Sequence, residues 1–164
     1  MIVIWGIGLY IFLVFFLSRL IIPHYGFTKS KLPEKIPQEW EEVIKDLKAK
    51  SHSQEEFLNN AYTYITTHYK GGRFKTVLRL ALVFQDPFSH KDGYIQCHIQ
   101  NYLLRVLLVK SGWFEDKDIQ VKVTILNFFT HQYLKVKVGE KWIDVDSHES
   151  YKGVPLGKHS QWFG

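Results

Sequence analysis

Cysteine is almost absent from this chain. Its 164 residues include a single one, Cys97, so the chain cannot form an internal disulfide or a zinc site built from several cysteines. Internal repeats and low-complexity segments are also missing, as is any basic patch interleaved with aromatic residues of the kind that binds nucleic acid. The length, with 46% hydrophobic residues, fits one domain of ordinary size. We therefore expect one folded domain, with no nucleic-acid partner and no cofactor.

Charge is absent from the start of the chain, where no charged side chain precedes Arg19. Residues 2–22 are apolar except for Ser18 and Arg19, and about 20 apolar residues suffice for a helix to cross a bilayer. No basic residue precedes the run and no small-residue cleavage site follows it, which argues against a cleaved signal peptide. The sequence thus predicts a transmembrane anchor over residues 1–22, with a buried core helix as the alternative.

Basic residues follow this apolar run, and they bear on its orientation and on the next segment. By the positive-inside rule they place the C-terminal domain on the cytoplasmic side of a single-pass membrane protein. They are also suited to anionic lipid headgroups. Residues 23–37 are rich in proline and glycine, which predicts a linker that lifts the domain, residues 38–164, off the membrane.

Apolar residues at three- and four-residue spacing predict three helices in the domain. They run from about Gln38 to Lys50, from a Ser53 cap to Gly71–Gly72, and from Cys97 to Ser111–Gly112. A dense apolar run over residues 74–84 predicts a further short buried helix.

After the third helix the apolar period changes from 3.6 to 2, which predicts antiparallel strands. The alternating apolar positions are Val121, Val123 and Ile125, then Leu134, Val136 and Val138, then Ile143 and Val145. Helices followed by a meander indicate an α+β domain, with helices packed on an antiparallel sheet.

Cys97 lies in the first turn of its predicted helix. Free backbone N–H groups and the helix dipole favour an anion there, and the thiolate is the nucleophilic form of cysteine. The dipole contributes only about 0.3–1 kcal/mol, so a reactive thiol also needs a partner base and a group that orients the base. Without them Cys97 is a small apolar residue at the start of a core helix.

A short hairpin supplies candidates for both groups. Gly139 and Glu140 fit a two-residue turn with glycine at its first central position. Counting back from this turn pairs Lys135 with Asp144 and His131 with His148. It also places His131 and Asp146 on one face as diagonal neighbours, within reach of a hydrogen bond. A three-residue loop would send Asp146 to the other face.

These residues resemble the transglutaminase-like superfamily, which is papain-type in architecture. The resemblance rests on a lone cysteine that opens a helix, a histidine that starts a later strand in residues 131–136 (HQYLKV), and a tryptophan four residues before an aspartate in residues 142–146 (WIDVD). It covers roughly residues 76–153. Two departures are Ser147, where the family usually has proline, and residues 113–119, which lack the usual glycine-aliphatic-arginine run.

The resemblance implies that Cys97 is the nucleophile, His131 the general base and acid, and Asp146 the residue that orients the imidazole. The thiolate would attack a peptide or protein amide and form a thioester, with hydrolysis favoured over cross-linking. The backbone N–H of Cys97 is one donor to the oxyanion. The second donor would be the side chain of Gln85, Tyr94 or Gln96.

Three other interpretations are open at the level of the sequence. A metal site from His90, Cys97 and His98 lacks a ligand pair on one helical face and a fourth ligand, so we expect none. The domain could instead be an inactive member of the same fold that binds a peptide or protein beside the membrane. It could also be a membrane adaptor whose linker binds lipid.

Overall fold

The computed structural model describes residues 2–72, 75–76, 79–126 and 129–161 of the chain. Within them the α-helices are α1 (Ile2–Ile11), α2 (Ser18–Ile21), α3 (Gln38–Ala49), α4 (Gln54–His68) and α5 (Cys97–Lys110). The strands are β1 (Tyr69–Lys70), β2 (Gly93–Tyr94), β3 (Ile119–Leu126), β4 (Phe129–Val138) and β5 (Lys141–Val145). The predicted α+β class is confirmed.

Helix α4 begins after its expected cap, Ser53, and ends before the expected stop at Gly71–Gly72. Ser53 Oγ accepts a hydrogen bond from the N–H of Glu56 at 3.2 Å, and the Glu56 carboxylate accepts one from the N–H of His52 at 2.6 Å. The helix stops at His68 because the next two residues form β1, which pairs in parallel with β2. That pairing fixes the loop that leads into Cys97.

Helix α5 is the centre of the core. It begins at Cys97 as predicted, and every residue from 98 to 108 is buried. It packs against α3 and α4 on one side and β4 on the other. Gly112 follows its end with φ of 78°, a left-handed conformation that glycine adopts without steric cost. The nucleophile candidate therefore starts the most constrained element of the domain.

The three long strands form an antiparallel sheet in the order β3-β4-β5. The β4–β5 register pairs Val138 with Lys141 and Lys135 with Asp144, which confirms the count made from the hairpin. Gly139 has φ of 58° and Glu140 is not in the positive-φ region, as a turn with glycine at its first central position requires. The apolar face of β4, with Leu134 fully buried, packs on α5.

Only part of the short helix expected over residues 74–84 can be compared with the structure. Residues 80–84 form a 3₁₀ turn, in which Val83 is buried and Phe84 is exposed. Residues 73–74 and 77–78 lie outside the described residues. The turn continues through a second 3₁₀ segment, Pro87–Ser89, towards β2.

The prediction of a transmembrane anchor over residues 1–22 is wrong. The apolar run is not a single α-helix, because a π-helical segment, Phe12–Leu17, separates α1 from α2. Helix α1 has 10 residues, a rise of about 15 Å against a hydrocarbon core of about 30 Å. In the described part of the chain no helix combines the length and apolarity that crossing a membrane requires. The predicted single-pass membrane localisation, with a cytoplasmic domain, is corrected with it.

Residues 24–30, which we call the strap, pack against the domain although they belong to the predicted linker. Tyr25 is 6% exposed, and its hydroxyl donates to the carbonyl of Thr130 at 2.7 Å. At the other end of the strap, Lys29 forms an ion pair with Asp116 at 2.9 Å. The strap is therefore a fixed part of the fold and not a free spacer.

Asp116 is the anchor point of this end of the strap. Its carboxylate also accepts a hydrogen bond from Arg105 Nε at 2.6 Å, and the Arg105 side chain is only 4% exposed. Burial tends to raise the pKa of Asp116, but the bonds from Arg105 and Lys29 prevail and lower it. The carboxylate thus neutralises a guanidinium that has little access to water.

We expect Asp116→Ala to lower the free energy of unfolding by about 1–3 kcal/mol, because it leaves the buried Arg105 donors unpaired. Urea denaturation at pH 7 measures the change. Since the Asp116 pKa is lowered in the folded state, the difference from the unchanged protein should shrink as the pH falls below about 4. The control is Asp46→Ala, whose partner Lys50 is on the surface and which should cost less than about 1 kcal/mol. Equal losses in the two variants would contradict this account.

Candidate active site

Cys97 is the first residue of α5, and its thiol is free and half-buried. Gln96 occupies the N-cap position without a capping side chain. The unpaired N–H groups of the first turn are therefore not covered by a carboxylate or hydroxyl from that residue. The helix start can stabilise negative charge on sulfur or on a bound oxygen.

His131 and Asp146 meet on one face of the sheet, as the hairpin register predicted. His131 Nε2 lies 2.9 Å from both Oδ1 and Oδ2 of Asp146. The histidine is 4% exposed and the aspartate 1% exposed. This pair joins the beginning of β4 to the residue that follows β5.

Asp146 is held by two further hydrogen bonds from the backbone. Its Oδ1 accepts from the N–H of Glu149 at 3.2 Å, and its Oδ2 accepts from the N–H of Ser160 at 3.0 Å. A carboxylate with this many donors cannot rotate without losing them. The position of the His131 ring is fixed as a result.

The Cys97 thiol lies close enough to the His131 imidazole to raise the pKa of the histidine. Because Nε2 faces Asp146, Nδ1 is the nitrogen that is free for the thiol. Burial is the largest influence on the pKa of His131 and lowers it, but the hydrogen bonds and charges of Asp146 and Cys97 together raise it to about 10. At neutral pH the histidine is therefore an imidazolium between two groups that can carry negative charge.

A buried hydrogen bond joins α5 to β4 close to Cys97 and His131. Asn101, one turn after Cys97, donates from Nδ2 to the carbonyl of Gln132 at 2.7 Å, and both residues are buried. Gln132 is the neighbour of His131 in β4. A hydrogen bond between the two elements thus lies one helical turn from the thiol and one residue from the imidazole.

A second histidine–carboxylate pair lies beside the first and was not recognised in the sequence. His148 Nδ1 donates to Glu149 Oε1 at 3.0 Å, and Lys152 binds the other oxygen of Glu149. Burial opposes ionisation of Glu149, but the bonds from His148 and Lys152 lower its pKa to about 2. The rings of His148 and His131 lie 5.6 Å apart. Counting along the β4–β5 register pairs His131 with His148, and this pairing is the sequence signal that could have led to the second pair.

One ligand atom each from His131, His148 and Glu149 falls within 4.8 Å of the other two, a spacing that a metal ion could use. Asp146 already satisfies His131, and Lys152 already satisfies Glu149, so ion pairs account for this cluster. In the described ranges, His90, Cys97 and His98 do not form such a group.

The three candidates for a second oxyanion donor are placed differently. Gln96 Nε2 donates to the carbonyls of Thr76 and Arg79, both at 3.0 Å, so its amide hydrogens are in use. The Tyr94 hydroxyl accepts from Lys75 at 3.0 Å, and Gln85 is exposed. Gln96 therefore has a structural role, which is to hold Thr76 and Arg79 beside the helix start.

Comparisons with protein-family models, curated proteins and solved structures find no match to this chain. The geometry of Cys97, His131 and Asp146 is consequently the basis for assigning a function.

We expect the His131 imidazole to stay protonated above pH 8, and Asp146→Asn to lower its pKa by at least one unit. The substitution removes the largest raising influence and keeps an acceptor of the same shape, while burial continues to favour the neutral ring. Histidine Cε1–H resonances followed by NMR across pH 5–11 measure both values. Stability due to the pair should be complete below about pH 6.5 and lost as the pH rises towards 10.

The matched control for this titration is Asp92→Asn, which alters a histidine–aspartate pair at the surface, His68 with Asp92 at 3.0 Å. It should leave the His131 titration unchanged. A wild-type midpoint near 6.5 for His131 would contradict the assignment of an imidazolium.

Proposed function

We propose that this protein is a thiol enzyme that transfers acyl groups from peptide or protein amides, with Cys97, His131 and Asp146 as its triad. The observation that carries the proposal is the buried His131–Asp146 hydrogen bond beside a free thiol at the start of α5. The domain would be transglutaminase-like and papain-type in fold. The order of the three residues along the chain and the strand-turn-strand after His131 support that resemblance.

The energetics also favour a chemical role for the pair. Removing a carboxylate and an imidazolium from water costs several kcal/mol per ion, and apolar residues of similar volume often give equal or greater stability. His131 is 4% exposed and Asp146 is 1% exposed, so nearly all of that desolvation cost applies here. A charged pair next to a nucleophile is common at sites where a perturbed ionisation is used in catalysis.

In the first half of the proposed reaction the Cys97 thiolate attacks the amide carbonyl carbon. A carbon–sulfur bond forms, and the carbonyl oxygen gains negative charge that the Cys97 N–H stabilises. The carbon–nitrogen bond then breaks, and His131 gives its proton to the departing amine. The products are a thioester on Cys97 and a neutral imidazole.

In the second half, water attacks the thioester while His131 takes its proton. The carbon–sulfur bond breaks, a carboxylic acid leaves, and the thiolate–imidazolium pair is restored. An amine in place of water would give a cross-linked product. We favour water because small chains with this motif order resemble peptidases and amidases more than cross-linking enzymes.

We expect alkylation of Cys97 by iodoacetamide to stay rapid down to about pH 6 and to slow at least tenfold in His131→Ala. The imidazolium stabilises the thiolate that reacts, and the substitution removes it. Mass spectrometry of the quenched protein measures the rate across pH 5–10, and circular dichroism checks the fold. His68→Ala, at a partly exposed surface pair, is the control and should react like the unchanged protein.

The contrary result is a slow rate that rises only near pH 8.5, the ordinary value for a free thiol, and that does not depend on His131. In that case Cys97 is a packing residue. The domain would then be an inactive relative of this fold that binds a peptide or protein.

A further inference from the structure

The apolar segment at the start of the chain presents a large hydrophobic surface to the solvent. Residues 5–21, which we call the apolar arm, comprise the greater part of α1, the π-helical segment and α2. Ten large apolar side chains of the arm are exposed, from Tyr10 at 39% to Trp5 at 76%. A helix that is apolar on all sides is normally buried. The exposed arm is therefore a surface that a partner should cover.

The size of this surface corresponds to one half of a stable protein interface. A large apolar side chain has about 100–200 Å² of surface to bury, so ten that are about half exposed present roughly 800 Å². The largest apolar patch on a typical monomer measures about 300–600 Å², whereas each partner in a standard interface buries about 800 Å². The arm exposes more than a monomer usually does and enough to form a dimer.

The absence of charge from the arm indicates the kind of partner. No charged side chain precedes Arg19. In a dimer with two-fold symmetry the same patch meets itself, so a charge near its centre would face an identical charge. An uncharged patch avoids both that repulsion and the cost of removing an ion from water. The arm is thus suited to a second copy of itself.

The first two lysine or arginine side chains of the chain, Arg19 and Lys29, are engaged inside the fold. Arg19 Nη2 donates to the Gly26 carbonyl at 3.0 Å, and its guanidinium lies 4.1 Å from the centre of the Phe27 ring. Lys29 forms its ion pair with Asp116. Because both cations already have partners, this end of the molecule does not favour an acidic protein or an anionic lipid headgroup.

The base of the arm is fixed to the domain. The Phe16 ring lies 5.9 Å from the Phe27 ring of the strap, and the π-helical segment contacts β4. Val14, Phe15 and Leu17 are half-buried there. The surface is therefore formed before a partner arrives, which reduces the conformational entropy lost on association.

We propose that the apolar arm is a dimer interface and that its partner is the arm of a second copy of this chain. Association removes the exposed rings and aliphatic side chains of both arms from water, and this burial drives it. The inference is independent of the proposed thiol chemistry, because Cys97, His131 and Asp146 all lie outside the arm.

Sedimentation velocity of the full chain in detergent-free buffer tests the proposal. We expect a species of twice the chain mass of 19.4 kDa. Leu9→Lys should raise the Kd of the dimer at least about a hundredfold, because it places two ammonium groups in one apolar interface. The matched control is Phe84→Lys, which alters a side chain outside the arm that is 62% exposed, against 59% for Leu9. It should leave the Kd unchanged.

A second pair of variants tests whether the two arms meet each other. Leu9→Lys and Leu9→Glu should each be monomeric, whereas an equimolar mixture should form dimers because opposite charges then share the interface. Circular dichroism checks that each variant is folded. Since the substitutions are at an exposed position, they remove association without removing core contacts.

A monomer at every concentration, or a dimer that persists in Leu9→Lys, would overturn the inference. Failure of the two charged variants to pair would show that the arms do not face each other and would also overturn it. The same holds for a monomer that co-sediments with phosphatidylcholine vesicles, because the arm would then be covered by lipid and not by a second copy.

Discussion

The buried carboxylate of Asp146 is the constraint around which the C-terminal third of the chain is arranged. An ionised carboxylate that is 1% exposed is tolerated only when donors replace the water it has lost. Three groups supply them: the imidazole of His131 and the backbone N–H groups of Glu149 and Ser160. Strand β5, the 3₁₀ turn after it and the last described residues are thereby tied to one side chain.

This arrangement explains features that would otherwise be separate. The turn His148–Lys152 brings a second histidine, hydrogen-bonded to Glu149, beside His131, because Asp146 accepts a hydrogen bond from the N–H of Glu149. Gly71 meets this turn so closely that a Cβ there would lie 1.8 Å from the His148 carbonyl oxygen. The chain that leaves β1 therefore requires glycine at this point for steric reasons. It also follows that a change at Asp146 would disturb packing as well as chemistry.

The sequence was most informative where one interaction repeats along an element. The apolar period predicted α5 and the sheet, because each repeat adds to the same preference. A two-residue turn with glycine first predicted the β4–β5 register, and counting residues along that register was enough to bring His131 next to Asp146. The start of α5 at Cys97 was predictable for the same reason, since the apolar period begins there.

The predictions failed where local backbone geometry or a few tertiary contacts decide the outcome. Hydropathy counts apolar residues and does not report helix continuity, so the π-helical segment in residues 12–17 was invisible and the membrane anchor was inferred wrongly. Proline and glycine content predicted a spacer over residues 23–37, whereas one buried hydroxyl, that of Tyr25, holds the strap to β4. No sequence pattern indicated a role for the C-terminal tail. In the structure the His159 ring stacks on that of Tyr133, with centroids 4.3 Å apart, and its Nδ1 binds Asp144.

The proposed site belongs to no single element, and this determines how it can respond to change. Cys97 comes from α5, His131 from β4 and Asp146 from the residue after β5, and the hydrogen bond from Asn101 to Gln132 ties the first two elements together. A thiol and an imidazole must remain within hydrogen-bonding distance to share a proton, and a shift of about 1 Å is enough to slow such a reaction greatly. Loosening the contact between α5 and β4 should therefore impair the chemistry before the domain unfolds. The same contact stabilises the core and aligns the site, so selection for either property acts on both.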